Sequence, residues 1–142
     1  MTILEKLLAS KSLPELDPQS NAGKTVEELH TELAQLADSS GKDLELIPSE
    51  HGAYVFIGHP PKDFSLAWIH DHQISRLEEM ENEHHLSMGE QDDVQKSLQA
   101  LYQHHRRDYR FQASVNGHTL QVLPSNAMQL DLHDIVERVM LH

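Results

Sequence analysis

The chain has 142 residues, no cysteine, and 11 basic against 23 acidic side chains, a formal charge of −12 with its 12 histidines neutral. That size suits one domain with a core that needs no covalent staple, and the missing cysteine excludes disulfides, thiolate metal sites and cysteine nucleophiles. An acidic surface repels phosphate backbones, so nucleic acid is not expected as a partner; the one basic cluster, His104-His105-Arg106-Arg107, is too short to reverse that.

The first residues, Met1-Thr2-Ile3-Leu4-Glu5-Lys6, carry neither a basic leader nor a long apolar stretch. No signal peptide is expected, and no run approaches the roughly 20 apolar residues of a membrane helix, so the expected location is cytoplasmic with no membrane partner. Thr2 and Glu5 form a capping box, and Ile3, Leu4, Leu7 and Leu8 share a face of a short helix. Pro14, Pro18 and the Ser20-Asn21-Ala22-Gly23 stretch mark a linker. The expected organisation is therefore an N-terminal helix and linker over 1–23, then a single α+β domain over 24–142.

Thr25 and Glu28 repeat the capping box, and Val26, Leu29, Leu33, Leu36 and Ala37 follow at helical spacing, with Gly41 where a C-terminal cap belongs. Residues 43–48 read as a strand with Leu44 and Leu46 on one side; Pro48 cannot donate to a ladder and suggests an edge or a strand end. Residues 53–57 are apolar on both faces, which places them centrally. A third strand carries Phe64, Leu66, Trp68 and His70 toward the core.

From Gln73 the pattern turns helical, with Ile74, Leu77 and Met80 as a stripe. Ser87-Met88-Gly89-Glu90 is a further capping box, and Val94, Leu98, Leu101, Tyr102 and His105 form the next stripe, so two helices or one broken near 85–89 are expected. Residues 109–115 then alternate toward Asn116-Gly117, the preferred type I′ pair, and residues 118–124 return. That turn sets Val115 opposite His118, Ala113 opposite Leu120 and Phe111 opposite Val122, which puts the apolar residues of both strands on one face. Leu132, Ile135, Val136, Val139 and Met140 form a last helix with Asp131 as its N-cap. The fold expected is α+β: an antiparallel sheet of about five strands with helices packed on one face, in the order helix, three strands, helix, two strands, helix.

Few motifs carry chemistry. Asn21-Ala22-Gly23-Lys24-Thr25 has the tail of a phosphate-binding loop, but the first glycine of that motif would fall on Pro18, and a turn into a capped helix explains it better. His70-Asp71-His72 is the best metal candidate, with His84 as a further ligand and Glu81 or His85 as alternatives. The expected site is thus His70, His72 and His84, with weak zinc or nickel binding and no other cofactor. Glu81-Asn82-Glu83-His84 has the E-x-x-H form of di-iron bundles but lacks its second copy. No serine sits in a G-x-S-x-G elbow, and nothing in the sequence supports catalysis.

From Thr25 onward the element order, with the two strands of residues 109–123 followed by a terminal helix, resembles the class I chaperones of type III secretion. The resemblance implies a small acidic dimer that holds partner segments in extended form. The function expected is a non-catalytic protein-binding or adaptor module acting on a protein partner or as a homodimer; the alternative is a histidine-based metal-binding or metal-responsive protein. Residues 109–115 carry no edge blocker and the last helix has apolar side chains to spare, so the interface is expected near the second hairpin and that helix.

Overall fold

The computed structural model describes residues 13–142; the helix expected over residues 2–8 lies outside them. Helix α1 (Asn21–Glu28) starts earlier than the Thr25 box suggests, because Ser20 is the N-cap and its hydroxyl accepts from the Gly23 N–H at 3.0 Å. The expected boundary at residue 23 therefore falls inside α1. Gly23 permits this tight entry: a β-carbon there would lie 2.2 Å from the Asp17 carbonyl oxygen. The chain kinks at Leu29 and continues as α2 (His30–Ser40), which ends on Gly41 at φ 64°. The stripe Val26, Leu29, Leu33, Leu36 and Ala37 is buried as its spacing requires.

Four strands follow as an antiparallel meander: β1 (Leu44–Ser49), β2 (Gly52–Ile57), β3 (Ser65–His70) and β4 (Gln73–Arg76). Helices α3 (Leu77–Glu83) and α4 (Met88–His104) come next, then β5 (Phe111–Val115), β6 (His118–Val122) and α5 (Asn126–Met140). The sheet order is β4-β3-β2-β1-β6-β5, and β6 lies parallel to β1. The sheet is therefore six-stranded and mixed rather than five-stranded and antiparallel.

The extra strand is β4, where helical periodicity was expected from Gln73. His70 pairs with Gln73 across a two-residue turn, Asp71-His72, in which both residues adopt positive φ (50° and 59°). A type I′ turn built from Asp-His, without the usual glycine, leaves only a weak turn signature in the sequence. Strand β1 is interior, not an edge; β6 pairs only with Glu45 and Leu46, so Pro48 lies beyond the part of β1 that needs donors on that side. The second hairpin has the register its turn dictates, with Phe111, Ala113 and Val115 opposite Val122, Leu120 and His118. The capping box at Ser87 and Glu90 opens α4. Helix α5 begins at Asn126 with Ser125 as its cap, not at Asp131.

Helices cover both faces of the sheet, not one. On one side α1 and α2 pack on Leu46, Val55, Ile57, Ile69 and Leu120. On the other, α3, α4 and α5 pack on Ile47, Tyr54, Phe56 and Leu66. Strand β2 explains this: Ala53, Val55 and Ile57 point into the first layer, Tyr54 and Phe56 into the second, and all five are buried. The outer edge of β5 is not bare either. The Leu16 N–H donates to the Gln112 carbonyl and the Gln112 N–H donates to the Pro14 carbonyl, both at 2.9 Å, which seals the middle of that strand.

Candidate functional site

The three histidines singled out in the sequence lie apart. His70 is on the α5 side of the sheet, stacked on Trp68 with centroids 4.0 Å apart and its Nε2 3.3 Å from the Ser75 hydroxyl. His72 turns to the opposite side, where Nδ1 is 3.1 Å from Glu32 of α2 and Nε2 is 4.0 Å from Glu28. His84 caps the C-terminus of α3 and offers its carbonyl to the His142 ring at 2.9 Å. Among the described residues no group of three or more His, Cys, Asp or Glu side chains is gathered as a metal ion needs. Glu81 is buried, and burial first, then the charge of Glu78, raises its carboxyl.

A row of rings sits between β2, β3 and α5. Tyr54 and Trp68 are cross-strand partners with rings 6.0 Å apart and only 12° from parallel. His133 of α5 stands edge-on to both, and its Nδ1 lies 2.7 Å from the Tyr54 hydroxyl. The phenol is pushed up to about 12, by burial first and then by the charges of Asp134 and Glu137. The phenol stays neutral and shares a hydrogen bond with Nδ1, while Nε2 on the other side of the ring lies 3.5 Å from Glu137.

A second polar cluster is sealed inside. Glu45 is fully buried, and Arg110, entering β5, reaches it with Nε at 2.5 Å. The same guanidinium donates through Nη1 to the carbonyls of His105, Arg106 and Asp108, so it also caps the end of α4. It lies 5.5 Å from the centre of the Tyr102 ring. Burial, followed by the charge of Glu45, pushes the Tyr102 phenol up to about 12. His105, also buried, has Nδ1 2.5 Å from Asp108. Sequence reading missed this cluster: Glu45 alternates with Leu44 and Leu46 and looks like a solvent-facing residue.

An apolar groove lies between α4 and α5. Leu86, Val94, Ile135 and Val139 line a groove of about 210 Å³, with Glu90, Asp93, Arg138 and His142 at its rim. His142 Nε2 bonds Glu90, which raises the imidazole, while the Ser87 N–H and then His142 lower the Glu90 carboxyl. Met88, Met140 and Leu141, which neighbour lining residues in sequence, are 87%, 41% and 77% exposed.

Comparisons with family models, with curated proteins and with solved structures gave no match to this chain. Among the described residues no helix is long and apolar enough to cross a membrane.

Proposed function

We propose that the chain is a non-catalytic protein-binding module whose α4/α5 groove takes apolar side chains of a partner. The observation that carries the reading is the groove itself, with the exposed Met88, Met140 and Leu141 one or two residues along the chain from its lining residues. Solvent-facing apolar side chains gathered around a cleft and rimmed by charge mark interaction sites, and methionine adapts its shape to what enters. The surface lies on the last helix, but Val139 belongs to the core at 2% exposure, so association depends on the residues that flank it. Two copies joined through this groove are the simplest form of the reading, and light scattering at micromolar concentration reports that form directly.

Selection of peptides from a random library on the immobilised chain is expected to yield sequences with apolar anchors. Their binding should be lost in a Met88→Asp, Leu141→Asp double variant whose unfolding midpoint is unchanged. Peptides that bind the double variant undiminished would place the surface elsewhere and remove this reading.

A further inference from the structure

The ring platform of β2 and β3 lies outside the groove, and no residue lining one lines the other. Its geometry is fixed from several directions. Tyr54, Trp68 and His70 follow one another as a row of rings, Tyr54 and Trp68 close to parallel and His70 within 24° of the indole plane. His133 holds the Tyr54 hydroxyl and Ser75 holds the His70 ring. The row opens to solvent as a cleft of about 310 Å³, walled on the α5 side by Leu130 and His133.

The cleft lining carries one carboxylate, Glu50, and three histidines, His51, His70 and His133, with the His51 ring 3.9 Å from Glu50. Glu50 stands at its mouth, and Asp134 and Glu137 are close enough for their fields to act on Tyr54. No lysine or arginine lines it. Aromatic faces beside carboxylates attract a cation, and flat rings with carboxylate oxygens nearby suit a planar cation better than a round one. We propose that the cleft holds an arginine side chain from a basic segment of a partner protein. The guanidinium lies at the His70 end of the ring row, where Glu50 accepts its N–H groups, and Glu137 adds its field from α5. The formal charge of −12 draws such a segment toward the chain before contact.

Trp68 is the sole tryptophan, so its fluorescence reports this cleft alone. At pH 8, above the ordinary histidine range, an uncharged-end peptide carrying arginine is expected to change Trp68 emission saturably. The same peptide with citrulline, the neutral isostere, should not. A Glu50→Gln, Glu137→Gln double variant should bind the arginine peptide about tenfold more weakly, since both carboxylates are surface groups and the rings stay in place. The groove variant Met88→Asp, Leu141→Asp should bind it as the wild type does, which separates this surface from the groove. Equal titration by the citrulline peptide, undiminished binding to the double glutamine variant, or no saturation at millimolar peptide overturns the proposal.

Discussion

The two faces of the sheet are built from different side chains. The layer under α1 and α2 is wholly aliphatic, made of alanine, valine, leucine and isoleucine. The layer under α3, α4 and α5 contains Tyr54, Phe56 and Phe64, with Trp68 and Tyr102 packed against it. Small branched side chains let two helices lie close on the strands and fill the space between. Rings are larger and meet at fixed angles, so they bring polar tips into the interior and leave recesses at their margins. The buried Glu45–Arg110 pair, the α4/α5 groove and the ring platform all belong to the aromatic side. The groove and the platform lie on the aromatic side, while the aliphatic side has recesses of its own, edged by Glu28 and His72 and by Lys42 and His118.

The largest way to break this contrast is alkaline. Tyr54 and Tyr102 both belong to the aromatic side, and both ionise near 12 rather than near 10. A raised phenol favours the protonated folded state, so the stability it contributes is complete below about pH 10 and is lost as pH climbs to about 12. Denaturant unfolding across that window should show a steep fall, flattened in a Tyr54→Phe, Tyr102→Phe double variant. A fall of equal slope in that variant would put the alkaline weakness on the other face.

Next comes the buried ion pair. Arg110→Ala leaves Glu45 charged and enclosed and unties the end of α4, for an expected loss of about 3–5 kcal/mol. An Arg110→Leu, Glu45→Met double variant should recover most of it, and a double variant no better than the single would mean that the carbonyl caps matter more than the carboxylate. On the aliphatic face Leu33→Ala, at a position with 0% exposure, should cost about 2–5 kcal/mol. Leu130→Ala, half exposed at the rim of the platform, should stay within about 0.5 kcal/mol. Similar losses at the two sites would mean that Leu130 is packed as tightly as the core under α2.

Last is the turn that joins β5 to β6. Asn116 and Gly117 adopt φ of 50° and 83°. A β-branched residue is strained there, so Gly117→Val is expected to cost on the order of 1–3 kcal/mol. Nothing lies within 4 Å of a β-carbon built at Gly117, so backbone strain alone sets the loss. Unchanged stability in chemical denaturation would mean that the turn relaxes.

Local signals in the sequence were reliable where one short rule decided the outcome. Asn116-Gly117 fixed a register, Ser87 and Glu90 fixed a helix start, and the stripe from Val26 to Ala37 fixed a buried face. What escaped depended on distant partners. The parallel pairing of Glu45 with Gln121 has no local trace, and without it β1 reads as an edge. Glu45 looks hydrated until Arg110 is placed beside it. Asp71 and His72 make a left-handed turn without glycine, from two of the residue types that tolerate positive φ best, and the His72 ring bonds Glu32 of α2. The site suffered most, since both candidate surfaces arise between elements far apart in sequence.

The parallel pair at the centre of the sheet also sets an order of events during synthesis. Strands β1 to β4 are consecutive and close on one another as they leave the ribosome, but β6, which completes the other side of β1, is among the last strands made. In that interval β1 is an open edge in a half-finished sheet, the kind of surface that nascent chains use to stick to each other. Glu45 sits in that strand as a lone carboxylate, because Arg110 emerges later than β4. A charge that must stay hydrated discourages wrong pairing until the correct partner arrives to neutralise it. The residue that is costly to bury in the finished protein thus guards the unfinished one.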